Sequence, residues 1–119
     1  MDSPEDSDLI AFFGQEPEAV DPEEAEFFGS VSFVVDVGDG DTLRCDIGRH
    51  HGDLRLALAR AGAERVVLST MGDVERLRIE RLHDVETLVA SFGREPDLCE
   101  ARLTLSPTLR LEWGSNVRL

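Results

Sequence analysis

The residues best equipped for chemistry are His50 and His51, adjacent to one another with Asp46 and Asp53 on either side. Imidazole next to carboxylate suits zinc binding or general-base work. A metal or catalytic centre, however, needs a convergent set of ligands. Neighbouring residues in a strand or turn point different ways, no third ligand stands at a recognised spacing, and His83 is distant in sequence. Gly48-Arg49-His50-His51-Gly52-Asp53 reads more simply as an exposed loop between two strands. His50, His51 and Asp53 are the candidates if the domain binds a metal or small molecule. Asp36, Asp39 and Asp41, spaced around Gly38 and Gly40, lack the acid order and closing glutamate of a calcium loop and fit a solvated hairpin. Cys45 and Cys99 each sit in an apolar alternation, which predicts buried thiols rather than a disulfide framework or zinc site. No nucleophile elbow, phosphate cradle or basic-aromatic motif is present, so no catalytic residue and no cofactor is expected.

Charge is distributed very unevenly. Asp2, Glu5, Asp6, Asp8, Glu16, Glu18, Asp21, Glu23, Glu24 and Glu26 fall within the first 29 residues, where no basic residue occurs. They account for −10 of the formal net charge of −13. Unpaired carboxylates are costly to desolvate, so this block must face water or a basic partner. These ten residues are the candidate partner-binding set. All 12 basic residues are arginines and lie beyond the block. The acidic balance argues against nucleic acid or an anionic membrane as partner.

At 119 residues the chain suits one domain with a single core. No apolar run approaches the roughly 20 residues that span a bilayer. The acidic start lacks the basic opening and apolar middle of a secretory signal, so a cytoplasmic location is expected.

The elements that must position these residues change character at Ser30. Before it, Ser3-Pro4-Glu5-Asp6 predicts a helix start, Leu9, Ile10, Phe12 and Phe13 an apolar face, and Gly14 a stop. Asp21-Pro22-Glu23-Glu24 repeats the start signal, and Phe27-Phe28-Gly29 closes the segment. From Ser30 onward the period is two. Val31, Phe33, Val35 and Val37 lead to Gly38-Asp39-Gly40-Asp41, and alternation resumes at Leu43, Cys45 and Ile47. An Asp-Gly pair between alternating runs is a strong hairpin signal, because both loop positions need positive φ. Further runs carry Leu54/Leu56/Leu58, Val66/Leu68, Leu77/Ile79, Leu88/Ala90/Phe92, Cys99/Ala101/Leu103/Leu105 and Leu109/Leu111/Trp113. Turn signals at Ala61-Gly62, Gly72-Asp73 and His83-Asp84 separate several of them.

Residues 73–90 also fit a helix, with Val74, Leu77, Leu82, Val85 and Leu88 as a stripe, although strands are preferred here. The reading is a mainly β protein of the α+β type. It is an antiparallel meander of about seven to eight strands, with short N-terminal helical segments covering one apolar face. Residues 1–29 form the acidic helical segment and residues 30–119 the sheet, within a single domain. Arg44, Arg55, Arg76, Arg78, Arg102 and Arg110 fall on polar faces, where Asp46, Glu75, Glu80, Glu100 and Glu112 are available for pairing. Interior packing is expected for Trp113, with an edge strand at an interface as the other reading.

The Asp-Leu-Ile-Ala-Phe-Phe-Gly stretch at 8–14 followed by the Gly-Asp-Gly hairpin at 38–40 gives a layout that resembles small bacterial immunity proteins. That resemblance covers most of the chain and transfers no individual functional residue. It implies a non-catalytic protein that neutralises a toxin by occluding its active site. An acidic block suits a basic target, since opposite charge speeds encounter. The expected function is therefore a protein-binding module of immunity type. The alternatives are a small-molecule or metal-binding β domain and a structural or accessory subunit pairing through an edge strand.

Overall fold

A computed structural model of the chain describes residues 1–18, 21–23, 29–70, 72–92 and 100–114. The period-two segments all form strands: β1 (Ser30–Gly38), β2 (Asp41–Gly48), β3 (Asp53–Arg60), β4 (Ala63–Thr70), β5 (Val74–Leu82), β6 (Val85–Phe92), β7 (Glu100–Thr104) and β8 (Arg110–Gly114). The helix option for residues 73–90 is thereby closed in favour of β5 and β6. Among the described residues, α1 (Asp6–Phe13) precedes them, and Pro22 and Glu23, in the second expected helix start, are also helical.

Three hairpins turn on two-residue loops with positive φ at both positions: Asp39-Gly40 (56° and 78°), Ala61-Gly62 (50° and 81°) and His83-Asp84 (52° and 64°). This is the handedness that matches the twist of the flanking strands.

The meander is divided. β1–β4 make one sheet and β5–β8 a second, each in chain order with every neighbour antiparallel. Phe33, Cys45, Leu56 and Leu68 align in register across the first sheet, and Ile79, Leu88, Leu103 and Leu111 across the second. Inward side chains of both sheets join Leu9, Phe12 and Phe13 of α1 in one contiguous core. The apolar faces of both sheets and of α1 therefore share one core.

The division falls between β4 and β5. Instead of pairing with β4, β5 begins against the β2–β3 loop, where the Val74 N–H donates to the Gly52 carbonyl at 3.0 Å. Gly52 has φ +72°, and a Cβ there would stand 2.6 Å from the Val74 carbonyl oxygen. The Gly72 N–H donates to the Asp53 carboxylate at 2.7 Å, fixing the approach to β5.

Residues 1–18 link the first strands of the two sheets. Asp2 makes a parallel bridge to β5 through Asp2 N–H to Glu75 C=O (3.1 Å) and Leu77 N–H to Asp2 C=O (2.7 Å). After α1, the Gln15 side-chain amide donates to the Val34 carbonyl, and the Glu18 N–H donates to the Ser32 carbonyl at 2.8 Å. The segment thus runs from the edge of β5 to the edge of β1. Phe13 stacks on Phe33 with centroids 4.5 Å apart, and Phe12 meets Phe13 edge-on at 5.0 Å. Each buried Phe contributes roughly 1.5–3 kcal/mol. The second aromatic pair, Phe27 and Phe28, lies outside the described residues, as does Cys99.

Candidate protein-binding surface

The acidic residues are held on a segment that is anchored at several points. α1 begins at Asp6 with Glu5 as its N-cap, and no side chain caps it. Ser3, which opens the expected helix-start sequence, donates to the Pro4 carbonyl and accepts from the Arg49 side chain. Asp6 and Asp8 occupy the first turn, where the helix dipole favours negative charge. Gly14 ends the helix at φ +74°, its N–H bonded to the Ile10 carbonyl at 2.8 Å. Further on, the Asp21 carboxylate accepts the Glu23 N–H at 2.8 Å.

Three of the acidic residues are committed within the chain. Asp6 pairs with Arg49, Glu18 with Arg44 at 3.2 Å, and Asp2 with Arg76 at 3.6 Å. Arg49 is the principal anchor, since its guanidinium also donates to Ser3 Oγ and the Pro4 carbonyl while its own carbonyl accepts from the amino terminus. These pairings join residues 26 to 74 positions apart, which no local spacing rule reveals. Among the described residues, Glu5, Asp8, Glu16, Asp21 and Glu23 are exposed or half-exposed and make no ion pair with an arginine. Glu24 and Glu26 lie outside the described residues.

The outward face of the second sheet carries a different arrangement. Arg78 and Arg102 stand in register on either side of Val89, which is fully buried although it points away from the core. Glu80 and Glu100 complete a closed ring over it. Arg78 contacts both glutamates at 3.0 Å, and Arg102 contacts Glu80 at 2.7 Å and Glu100 at 2.9 Å. Arg78 also donates to Ser91 Oγ at 2.6 Å. The Arg102 hydrogen bond holds the Glu80 carboxyl below the usual carboxylate range, and the Arg78 hydrogen bond does the same for Glu100. Such a network is preorganised and has zero net charge. Beside it a groove of about 630 Å³ runs past Thr87, Thr104, Leu109 and Arg110.

On the first sheet Arg44 is shared between Asp46 and Glu18, while Arg55–Glu64 and Arg60–Asp41 are separate pairs. Val34, Arg44, Ala57 and Val67 lie in register across β1, β2, β3 and β4, with Ala57 buried, Val34 half-buried and Val67 exposed.

The histidine loop does not form a ligand cage. His50 and His51 are exposed, His50 lies against Gly29, and Asp53 is used by the Gly72 N–H. No group of three or more His, Cys, Asp or Glu among the described residues is placed to hold a metal ion. The hairpin aspartates are similarly occupied, Asp36 by the Gly38 N–H at 2.9 Å and Asp41 by Arg60 at 2.8 Å. Cys45 is completely buried, and desolvation pushes its thiol far up, so it stays protonated and inert.

Trp113 departs from the interior packing expected of it. It shares the inward face with Ala101 but is 48% exposed, because β8 is the last strand of its sheet. No helix among the described residues is long and apolar enough to cross a membrane.

Comparison with known proteins adds a fold-level relationship. No protein-family profile matches the chain, and no curated protein matches it in sequence. Among solved structures, the chain is similar to one in a contact-dependent growth inhibition toxin–immunity protein complex from Klebsiella pneumoniae 342. The match has a TM-score of 0.81 and 15% identity, and covers 94% of each chain.

Proposed function

We propose that this chain is a non-catalytic, cytoplasmic inhibitor of immunity type that binds a basic protein toxin and blocks its active site. The observation that carries this reading is the near-complete structural correspondence with a chain from a toxin–immunity complex, which covers 94% of both. The charge distribution supports it. Among the described residues, five exposed carboxylates, Glu5, Asp8, Glu16, Asp21 and Glu23, make no ion pair with an arginine. A negative surface of this kind accelerates encounter with a positive partner and requires no reactive group.

The test is growth rescue. Where a toxin-like polypeptide is encoded immediately upstream, it is expressed with and without this chain. Restored growth and co-elution of the two proteins are the expected results, and growth arrest in both cases would remove the reading. Substituting Asp8→Asn, Glu16→Gln, Asp21→Asn and Glu23→Gln together should slow association at least about tenfold at low salt and much less at high salt. An unchanged rate would show that the acidic segment is not the docking surface.

A further inference from the structure

The order of residues along β8 allows one kind of partner that the acidic segment does not address. Among the described residues β8 is the last strand of the second sheet, and none of them pairs with its outer edge. Along it, Arg110 and Glu112 lie on the outward face, in register with Thr104 and Arg102, while Leu111 and Trp113 lie on the inward face, in register with Leu103 and Ala101. Pairing two copies of one strand antiparallel about a two-fold axis perpendicular to the sheet requires the axis to lie midway between the two copies of one residue, which then opposes itself. Only then do opposed side chains share a face.

An axis at Arg110 opposes two arginines, and one at Glu112 opposes two glutamates. An axis at Leu111 sets Arg110 of each copy against Glu112 of the other, and Trp113 of each against Leu109 of the other. Leu109 and Leu111 are already packed against the core, so this extension continues an apolar layer. On the outward face it continues the alternation of the charge ring, with Arg102, Glu112 and then Arg110 of the second copy in one row.

We propose that β8 is a homodimerisation edge, and that two copies of this chain join about Leu111 into one continuous eight-stranded antiparallel sheet. The self-complementary order Arg110-Leu111-Glu112 is what selects a second copy over a foreign strand. Opposite charges directly across an antiparallel pair are favourable, and like charges there are not. The Arg110–Glu112 ion pair within the strand, at 2.9 Å and largely exposed, exchanges partners at little cost. This proposal is independent of the inhibitory role.

The experiment is sedimentation equilibrium or light scattering on the full chain over a hundredfold concentration range, combined with Trp113 fluorescence. Trp113 is the only tryptophan and the chain has no tyrosine, so its emission reports this edge alone. The expected result is a mass approaching twice that of the chain, with a blue shift of emission over the same concentrations. Arg110→Glu and Glu112→Arg, each placing like charges across the axis, should be monomeric with an unchanged far-UV spectrum. The double substitution R110E/E112R restores opposite pairing and should restore the dimer. A wild type that stays monomeric at the highest concentration, single variants that remain dimeric, or a double variant that does not recover would each overturn the proposal.

Discussion

Where β1 and β5 end their sheets, residues 1–18 lie against them with backbone hydrogen bonds; where β4 and β8 end theirs, no described residue does so. The covered edges are sealed by a core-forming helix, with Leu9 and Phe13 buried and Arg49 clamping the segment. The bare edges are handled by their side chains. β4 shows Glu64 and Arg65 to solvent and carries a register irregularity opposite Leu58 and Ala59, features that discourage casual strand addition. β8 has no register irregularity, and no described residue covers it. Its charges are ordered so that one partner orientation is admitted. The contrast shows one chain treating exposed backbone in two ways, by burial at one margin and by side-chain selection at the other.

The strongest way to break this contrast is to compare truncations of equal kind. Phe13→Ala removes a ring stacked on Phe33 inside the core and should cost about 3–4 kcal/mol in urea unfolding. Trp113→Ala, at a half-exposed position, should cost the monomer less than about 1.5 kcal/mol. Equal losses would mean that the two margins are energetically alike.

A second test concerns the ring that ties β5, β6 and β7 together beside the bare edge. Arg102→Gln leaves Glu80 and Glu100 sharing Arg78 and should destabilise by about 1 kcal/mol after solvent screening. Because both glutamates titrate lower in the folded chain than when unfolded, their contribution is present above the ordinary value of 4.5. It is lost as pH falls below that value through their folded titration. Stability followed by denaturant titration should therefore decline on acidification below about pH 4.5. Glu80→Gln/Glu100→Gln should flatten that part of the curve, and an identical decline in this variant would discount the ring.

The smallest effect sharpens the β4 side. Ala61 holds φ +50° in the β3–β4 turn, a conformation that alanine adopts under strain. Ala61→Asn should raise stability by about 0.5 kcal/mol, measured by thermal unfolding.

The strands and their turns were legible because side-chain period and loop chemistry are local. Val31 to Val37 and Leu43 to Ile47 alternate in the sequence, and Asp39-Gly40 names its own turn. Division into two sheets was not legible, because Gly72-Asp73 carries the same turn chemistry as a hairpin, and the contacts of Val74 with Gly52 and of Gly72 with Asp53 that distinguish it are long-range. For the candidate surface, the excess of acid was plain, but its partial neutralisation was not. Arg44, Arg49 and Arg76 meet Glu18, Asp6 and Asp2 only after the chain has folded back on itself. The ring was half legible: its four members were recognisable as polar-face charges, while closure around Val89 depends on a register that no single strand specifies. Trp113 misled for a related reason, since pattern gives the face a residue occupies but not whether another strand lies beyond it.

The meeting of Gly52 and Val74 also limits how this protein can change over generations. A methyl group at position 52 would wedge the halves of the molecule apart at the point where the chain crosses between them. Replacing one hydrogen on that α-carbon by a methyl group forces the Val74 backbone to shift, so the crossing itself requires glycine there.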